Sequence, residues 1–381
     1  MSPNHGIRAL LVTTDYPPEV GGLQTYSFRI AQELPHGMLA QVLVGRDLPA
    51  SELPLPRPGL GLTSHRGRGR LRAFAWSLWY VPEIGIRHRI NFQIHMQWST
   101  AIPSLLLKKI GFGNHYLVLI HGAELLDPGR AWLRVIKSLV LRNADAVVAG
   151  SHHTAEILGQ QRIRCRRLEV IPYGNPLEGR DLDRIPIMGN REVTVSPRLL
   201  CMHRLVARKG TALLLDALAA LADKAWTLDI VGKGEEEANL RSQAERLGLS
   251  SRVTFHPPVD AERKIRLMAE ASLFILPSLP PMGNNHFEGL GLTLLEAQSL
   301  GVPVLAARTG GIPEAIQEGL TGVLFRAGDA EDLRSKLGSL LRSPDKRARL
   351  GQAGPAWVRG HFSWTEGLER LAAIMSEVAK D

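Results

Sequence analysis

The sequence predicts an α/β protein made of two units, each a parallel β-sheet covered by helices. Short runs of strand type alternate with helical stretches, which is typical of parallel sheets because their strands need crossover connections. A length of 381 residues allows two substantial cores. A polar segment with several prolines and glycines, residues 176–197, is interpreted as the linker. The predicted domains are residues 1–185, closed by a C-terminal helix over 362–381, and residues 186–361.

The composition indicates a globular protein, with 44% hydrophobic residues. Cys165 and Cys201 are the only cysteines, too few for a disulfide framework or a cysteine-rich zinc site, and this favours a reducing compartment. The sequence contains no signal-peptide pattern and no run of eighteen apolar residues. We therefore expect a cytoplasmic protein that does not span a membrane but can lie on its inner face.

Positive charge is concentrated in the first half of the chain. The net charge is +9, and residues 1–185 hold 22 Lys and Arg against 14 Asp and Glu, whereas the remainder holds 24 against 23. This asymmetry predicts an anionic partner for the N-terminal half. The stretch Arg66–Arg89 combines six arginines with Trp76, Trp79 and Tyr80. It suits either an in-plane helix on an anionic membrane or a helix packed on the sheet with a solvated arginine edge. No nucleic-acid-binding motif accompanies it, so no nucleic acid partner is expected.

The first unit begins with a buried strand, Ile7–Thr13, followed by a helix over Leu23–Leu34. Gly21 and Gly22 stand at the N-terminus of that helix, where backbone N–H groups favour a phosphate, although turn glycines without a ligand are also common there. His121 directly follows a strand, at the edge of the sheet where either a structural or a ligand-binding histidine can lie. The other predicted strands are Gln41–Val44, Asn91–Met96, Tyr116–Ile120, Asp145–Ala149 and Leu168–Ile171.

The second unit begins with a strand at Leu199, and the loop after that strand carries Arg204 and Lys209. Nucleotide-binding βα units hold phosphate in this loop. Two cations there can neutralise a diphosphate, although solvated loop cations are the alternative. Gly232 interrupts the next strand-to-helix turn. Further strands are expected at Arg252–His256, Ser272–Ser278 and Val302–Ala306.

Two glutamates stand out in the stretch Phe287–Val304. Glu288 lies in a glycine-bounded loop, and Glu296 lies on the helix that follows, four residues after Leu292 and within the apolar stripe. A buried glutamate needs a partner. The spacing leaves open whether Glu296 pairs with an arginine such as Arg308, reaches solvent or binds a ligand.

The E-x7-E spacing of Glu288 and Glu296, with EGLGL and LEAQSLGVPV around it, resembles the donor-site signature of the retaining glycosyltransferases of family 4. The segment CMHRLVARKG resembles the Gly-Arg-Leu-x-x-x-Lys-Gly motif of the same family, with His203 in place of its glycine. HGAE, starting at His121, is also similar, and DYPP and GGLQTY resemble the branch that includes phosphatidylinositol mannosyltransferases. The resemblance implies the GT-B fold, an α/β architecture of two Rossmann-like doubly wound domains facing a central cleft.

The resemblance also implies roles for individual residues. The nucleotide-sugar is expected mainly on the C-terminal domain and the acceptor mainly on the N-terminal one. His121 and Glu288 would orient the transferred sugar. Arg204 and Lys209 would stabilise the leaving diphosphate, and these four residues form the implied catalytic set. Asp15 is the candidate on the acceptor side. The implied donor-binding residues are Gly21, Gly22, Arg204, Lys209, Gly232, Glu288, Gly289, Leu290, Gly291 and Glu296.

The reaction implied by the resemblance is retaining hexosyl transfer, with the leaving phosphate as base and with neither a cofactor nor a metal. GDP-mannose is the first donor expected, followed by UDP-glucose or UDP-N-acetylglucosamine. The expected acceptor is a lipid-linked or polysaccharide intermediate. Neither His152-His153 nor Asp181-x-Asp183 is expected to bind a metal, because adjacent helical histidines point apart and the aspartates lie in the linker. A transferase with a soluble acceptor and a non-catalytic nucleotide-sugar or polyanion-binding module are the alternatives.

Overall fold

The structure of the chain is a computed structural model that describes residues 6–19, 21–45, 49–65, 70–111, 115–125, 131–179, 196–221, 225–281 and 287–380. The chain divides into two compact units. Unit 1 comprises residues 1–173 with 364–381, and unit 2 comprises residues 174–363. The boundary expected between residues 185 and 186, and the Asp181-x-Asp183 pair, lie outside the described residues.

Unit 1 is built on a seven-stranded parallel sheet. Its strands are β1 (Ala9–Thr13), β2 (Leu39–Gly45), β3 (Gly61–His65), β4 (Phe92–His95), β5 (His115–Ile120), β6 (Ala146–Ala149) and β7 (Leu168–Val170). Its helices are α1 (Gly22–Glu33), α2 (Arg70–Arg87), α3 (Ile102–Lys109), α4 (Ala131–Asn143), α5 (His152–Gln160) and, after unit 2, α12 (Trp364–Val378). The strand order is β3-β2-β1-β4-β5-β6-β7.

Strand β1 lies inside this sheet and is buried along its whole length. Ala9 pairs with Leu39 of β2 on one side and with Phe92 of β4 on the other. A strand covered on both faces reads as a continuous apolar run, which is why ALLV is recognisable in the sequence. Because β2 and β4 flank β1, the chain order reverses between β1 and β4. In open α/β sheets, ligands bind at the carboxyl ends of strands at such a reversal.

Unit 2 repeats this plan with six parallel strands. Its strands are β8 (Arg198–Met202), β9 (Thr227–Val231), β10 (Val253–His256), β11 (Leu273–Leu276), β12 (Val304–Arg308) and β13 (Gly322–Arg326). Its helices are α6 (Thr211–Ala219), α7 (Glu237–Arg246), α8 (Ala261–Glu270), α9 (Leu292–Ser299), α10 (Ala330–Leu341) and α11 (Pro344–His361). The strand order β10-β9-β8-β11-β12-β13 reverses between β8 and β11.

The observed elements follow the expected alternation, with differences at the sheet edges. β3 and β13 were not predicted. Each is a five-residue edge strand, and β3 reads GLTSH, which lacks a buried strand's apolar run. Helix α9 is buried over Leu294–Ser299, well beyond a single apolar stripe. Among the described helices, none is long and apolar enough to cross a bilayer.

Candidate functional site

The loops that follow β8 and β11 meet at the order reversal of unit 2. The loop after β8 contains Arg204 and a 3-10 turn over Ala207–Lys209, and it ends at Gly210, where α6 begins. The backbone N–H of Leu279, just after β11, donates to the Arg208 carbonyl over 2.8 Å. Gly210 has φ 71°, and a Cβ there would lie 1.9 Å from the Pro277 carbonyl oxygen. The two loops therefore pack with no space for a side chain at this position.

Glu288 contacts both cations of that 3-10 turn. The Lys209 Nζ donates to Oε2 of Glu288, and Nη1 of Arg208 lies 3.6 Å from the same oxygen. The Lys209 side chain is only 10% exposed and that of Glu288 17%. Burial acts to raise the pKa of the Glu288 carboxyl, but attraction to Lys209 and Arg208 outweighs it, so the pKa lies below its ordinary value. Glu288 is therefore a carboxylate held by two cations.

The loop after β12 supports Glu288 from behind. The Gly311 N–H donates to the Glu288 carbonyl over 2.9 Å. Gly310 has φ 57°, and a Cβ there would lie 2.3 Å from the same carbonyl oxygen. Glycine is therefore needed at residue 310, both for its backbone conformation and for the close approach of the Glu288 backbone.

Glu296 is buried on α9, with 4% of its surface exposed. Its Oε1 accepts a hydrogen bond of 2.5 Å from the Lys264 Nζ of α8, while Oε2 is buried without a hydrogen-bond partner among the described residues. The expectation of an arginine partner such as Arg308 is wrong, because Arg308 pairs with Glu318 at the end of β12. Glu296 thus has one oxygen held by an ion pair and one still able to accept a hydrogen bond.

Arg204 takes part in neither the Glu288 ion pairs nor the Glu296–Lys264 ion pair. Its side chain is exposed, and in the described part of the chain it makes no ion pair. The neighbouring His203 turns away from solvent, with Nε2 3.0 Å from the Cys201 Sγ and Nδ1 2.9 Å from the Arg204 carbonyl oxygen. Burial and the nearby Lys209 lower the pKa of His203 to about 4, so its ring is neutral at neutral pH. A Cβ on Gly232 would lie 2.0 Å from the His203 carbonyl oxygen, so packing of the two loops requires glycine at this position.

The remaining expected donor residues of unit 2 lie between Glu288 and α9. Leu290 is buried, and Gly291 precedes the first residue of α9 with φ 84°, a conformation that favours glycine. Gly289 lies beside them in the same turn. The loop between β11 and Glu288 falls in part on residues 282–286, which lie outside the described residues.

Asp15 lies at the order reversal of unit 1, just after β1. Its Oδ1 accepts a hydrogen bond of 2.8 Å from Gln24 of α1, and its Oδ2 accepts one of 2.7 Å from Gln97, just after β4. Two side-chain amides therefore fix this carboxylate across the reversal. Gly21 immediately precedes α1, and a Cβ on Gly21 would lie 2.2 Å from the Gln24 Oε1, so Gly21 gives room to the glutamine that holds Asp15. Gly22 is the first residue of α1.

His121 follows β5 and is buried among aromatic rings. Its Nδ1 lies 2.6 Å from the Tyr173 hydroxyl, and the two rings are stacked with centroids 5.7 Å apart. Tyr26 of α1 packs edge-on against both rings. Burial lowers the pKa of His121 to about 3, against a smaller opposing effect of the Met96 backbone, so the imidazole is neutral. Its Nε2 is buried and has no hydrogen-bond partner among the described residues.

Glu124 closes the HGAE turn. Its Oε1 accepts hydrogen bonds from the backbone N–H groups of His121 and Gly122, the latter over 3.2 Å. Burial raises the pKa of Glu124, and the negative charge of Asp15 adds a smaller effect in the same direction. The glutamate of this motif therefore shapes the turn that holds His121.

The sequence-based analysis missed several residues that contact the expected site residues. Arg208 could have been found, since it adjoins Lys209 in the same loop. Lys264 could not, because only packing of α8 on α9 brings it to Glu296. Four further residues could not have been found either, because only folding brings them to the expected site residues: Gln24, Gln97, Tyr26 and Tyr173.

The stretch Arg66–Arg89 is described from residue 70 onward as α2 and the turn after it; its first arginines lie outside the described residues. Trp76 is buried, and its ring would lie 2.4 Å from a Cβ on Gly45, so it packs on the sheet. Trp79 and Ile86 are exposed by 72% and 77%. Helix α2 therefore packs on the sheet through Trp76 and exposes the apolar side chains of Trp79 and Ile86.

Two doubly wound parallel sheets in one chain, each with polar groups at its order reversal, are the architecture of the GT-B fold. Sucrose-phosphate synthase from Thermosynechococcus elongatus has the same fold, with a TM-score of 0.82 at 18% identity over 98% of this chain and 99% of that one. HepE of Anabaena, solved in complex with UDP-glucose, has a TM-score of 0.75 at 22% identity, over 97% of this chain and 100% of that one. The expected fold class is confirmed.

The family described as glycosyl transferases group 1 matches residues 190–357, and the glycosyl transferase 4-like domain matches residues 4–174. A GDP-mannose-dependent monoacylated alpha-(1-6)-phosphatidylinositol monomannoside mannosyltransferase from Corynebacterium glutamicum is 38% identical over 97% of both chains. A GDP-mannose-dependent alpha-(1-6)-phosphatidylinositol monomannoside mannosyltransferase from Mycolicibacterium smegmatis is 29% identical over 96% of this chain and 98% of the relative. The chain belongs to the group 1 glycosyltransferases, as the sequence motifs indicated.

Proposed function

We propose that this glycosyltransferase moves a mannosyl group from GDP-mannose to a lipid-linked acceptor of the phosphatidylinositol mannoside class, with retention of the anomeric configuration. The observation that carries the proposal is the pairing of Lys209 and Arg208 with Glu288 at the order reversal of unit 2. The relatives at 38% and 29% identity, both named as GDP-mannose-dependent, support the choice of donor.

The leaving diphosphate needs most of the stabilisation, because glycosyl transfer develops negative charge on it as the sugar becomes oxocarbenium-like. Lys209 is a nearly buried cation, and Arg204 is an exposed arginine with no ion pair among the described residues. An arginine without a competing carboxylate can bind phosphate oxygens in bidentate fashion. Glu288 then has two functions, which are to hold Lys209 in place and to accept hydrogen bonds from sugar hydroxyls.

Glu296 is assigned to the nucleoside ribose. Its Oε2 is a buried acceptor without a partner among the described residues, while the Lys264 ion pair offsets the cost of its charge. A diol presents two hydroxyl donors, which suits a carboxylate oxygen that has remaining acceptor capacity. Gly232 and the Gly289-Leu290-Gly291 turn are assigned to the donor as well.

In unit 1, Gly21 and Gly22 are assigned to the donor phosphates and His121 to the transferred sugar. Asp15 is assigned to the acceptor side, where two glutamine amides hold its carboxylate. No metal enters the proposal, because Arg204 and Lys209 supply the positive charge that a divalent ion would bring to a diphosphate. Mannosyl transfer measured in excess chelator, with and without added Mg²⁺, tests this point; a requirement for the ion would contradict it.

The acceptor side is proposed to face an anionic membrane surface. Trp132, Val135 and Leu139 are 50%, 58% and 47% exposed and share one face of α4 because they are three and four residues apart. Helix α3, with exposed Leu106 and followed directly by exposed Ile110, packs against α4 and also against α2. Exposed aromatic and aliphatic side chains on three adjacent helices of a basic domain suit insertion among anionic headgroups.

Donor choice is tested by thermal unfolding of the purified protein with GDP and with UDP in parallel. A nucleotide at about 100 times its dissociation constant adds roughly 2.7 kcal/mol to the free energy of unfolding. We expect a rise in Tm with GDP and a much smaller one with UDP. A response to UDP alone would replace GDP-mannose by UDP-glucose or UDP-N-acetylglucosamine, and no response to either would favour the non-catalytic binding module.

Site assignment is tested by Glu296→Ala and Arg204→Ala, scored by transfer from labelled GDP-mannose. In Arg204→Ala, loss of one preorganised positive charge at the leaving group is expected to lower kcat by about 10²-fold. In Glu296→Ala, loss of the carboxylate assigned to the ribose is expected to raise KM for the donor. Normal turnover by both folded variants would refute the assignment.

The membrane proposal is tested by flotation with vesicles of phosphatidylcholine alone or mixed with phosphatidylglycerol. We expect binding only to the anionic vesicles and a large loss of binding in Trp132→Ser combined with Val135→Ser. Leu320→Ser in unit 2 is the matched control, since Leu320 is exposed by a similar 49%. Equal binding by all three proteins would contradict the assigned surface.

A further inference from the structure

His121 is held by specific contacts with aromatic side chains from other elements of unit 1. Tyr173 is 5% exposed, stacks on the His121 ring at an interplanar angle of 24° and places its hydroxyl 2.6 Å from Nδ1. Space for this tyrosine depends on Gly150, because a Cβ at residue 150 would lie 2.3 Å from the Tyr173 ring. Tyr26 packs edge-on against both rings and against Trp364, the first residue of α12. Elements from both ends of unit 1 therefore fix the position of Tyr173.

Both members of this contact are uncharged. Burial raises the pKa of the Tyr173 phenol well above its ordinary value, with smaller contributions from Glu124 and Tyr26. Burial lowers the pKa of His121 to about 3. A neutral imidazole carries one N–H, and the nitrogen that bears it decides whether Nε2 is a donor or an acceptor. The hydrogen bond between Tyr173 and Nδ1 therefore determines what Nε2 offers to a ligand.

One arrangement of hydrogens leaves fewer buried groups unpaired. If the Tyr173 hydroxyl donates to Nδ1, the single unpaired group is the Nε2–H. If Nδ1–H donates to the tyrosine oxygen, both the hydroxyl hydrogen and the bare Nε2 lack partners among the described residues. Each buried polar group left unpaired destabilises the folded protein. The first arrangement leaves one unpaired group fewer and is therefore favoured.

We infer that Tyr173 is a positioning residue that sets the tautomer of His121, so that Nε2 carries the hydrogen and presents a neutral donor to a hydroxyl or ring oxygen of the transferred sugar. The kinetic part of this inference rests on the proposed function; the tautomer does not. A neutral donor can bind a sugar oxygen without the charge that would repel a developing oxocarbenium ion.

The test uses the full-length protein labelled with ¹⁵N in histidine. Long-range proton–nitrogen spectra distinguish the two tautomers, and the His121→Gln variant identifies the His121 signals among those of the 13 histidines. We expect the wild-type protein to show the Nε2–H tautomer at His121, and Tyr173→Phe to show a mixture. With GDP-mannose, kcat/KM of Tyr173→Phe is expected to fall about tenfold, the effect of losing roughly one oriented hydrogen bond.

Tyr116→Phe is the matched control. It removes a buried tyrosine hydroxyl of the same unit, one that donates to the Val140 carbonyl over 2.8 Å and does not contact His121. It should lower Tm by a similar amount while leaving the His121 signals and kcat/KM unchanged.

The inference is overturned if wild-type His121 carries its hydrogen on Nδ1, a result that needs neither a variant nor a substrate. It is also overturned if Tyr173→Phe keeps a pure Nε2–H tautomer. Absence of transfer from GDP-mannose by a protein with the expected tautomer would contradict the proposed function and leave the role of Tyr173 intact.

Discussion

The candidate site residues of the two units follow parallel strands in both sheets but differ in their electrostatics. Glu288 precedes α9, near the reversal of strand order between β8 and β11 in unit 2, whereas His121 follows β5 and Tyr173 follows β7 in unit 1. In unit 2 the partners of Glu288 are cations, which hold its pKa below the ordinary value despite burial. In unit 1 burial has no opposing charge at His121 or Tyr173, so both groups remain neutral.

The difference shows that burial alone does not decide the charge of a group. A buried carboxylate stays ionised when cations and hydrogen bonds compensate for lost hydration, and a buried imidazole without such compensation gives up its proton. One chain therefore contains a charged network of Glu288, Lys209 and Arg208 in unit 2 and an uncharged buried pair, His121 and Tyr173, in unit 1. Four predictions test this contrast.

The largest expected effect is that of Lys209→Ala. The substitution removes the buried cation and leaves Glu288 with Arg208 at 3.6 Å. We expect kcat/KM to fall by about 10²–10³-fold, as when one preorganised group is removed from a developing anion. Steady-state kinetics with GDP-mannose measures it, with Lys336→Ala on α10 as a control of the same chemistry. A loss of kcat/KM below about threefold would show that the Lys209 ammonium does not stabilise the leaving group.

Gly310→Ala and Gly319→Ala form a matched pair. Both glycines have positive φ, 57° and 81°, so both substitutions carry the same type of backbone strain, about 1–2 kcal/mol. Only residue 310 would also clash, with the Glu288 carbonyl oxygen at 2.3 Å, since a Cβ at residue 319 meets nothing within 4 Å. We expect kcat/KM to fall more than tenfold in Gly310→Ala and to stay within twofold in Gly319→Ala. Equal kinetics would mean that the Glu288 backbone position is unimportant.

The contributions of His121 and Glu288 to the stability of the fold should also change at different pH. His121 has a folded pKa of about 3 against an ordinary 6.5, so below pH 6.5 the unfolded chain binds a proton that the folded chain does not, and acid destabilises the fold. Glu288 has a lowered pKa, so its stabilising charge is present above about pH 4.5 and is lost only on further acidification.

Thermal midpoints of the wild type, His121→Gln and Glu288→Gln between pH 7 and 4 measure these windows. From pH 7 to 5 we expect the Tm of His121→Gln to fall less than that of the wild type. Over the same range the Tm of Glu288→Gln should fall in parallel with that of the wild type. Below about pH 4.5 the gap between Glu288→Gln and the wild type should narrow. Parallel curves for all three proteins would remove the electrostatic contrast.

The smallest expected effect is the change in stability caused by Gly150→Ala and by Gly159→Ala. The first substitution places a Cβ 2.3 Å from the Tyr173 ring, and the second places one in open space on α5. We expect Gly150→Ala to lower the free energy of unfolding by about 1–3 kcal/mol through overpacking. Gly159→Ala should raise it by about 0.5–1 kcal/mol, because alanine loses less entropy in a helix. Urea unfolding gives both values; a neutral Gly150→Ala would mean that Tyr173 can shift freely.

The two-unit α/β architecture and the candidate site residues closest to strand ends could be predicted from the amino-acid sequence. Buried parallel strands such as β1 are continuous apolar runs, and the motif around Glu288 and Glu296 is local, so both can be read along the chain. The need of a buried Glu296 for a partner also followed from its position among leucines. Short polar edge strands such as β3 carry no such pattern and were missed.

The side chains that contact these candidate residues could be identified only from the folded structure. Lys264 reaches Glu296 across two packed helices, 32 positions away in the chain, and Tyr173 reaches His121 across 52 positions. The protonation states follow from those contacts, because pKa depends on burial and on neighbouring charges that strand order and helix packing bring together. Local pattern therefore indicated the candidate site residues, whereas long-range packing determined which of their side chains are charged.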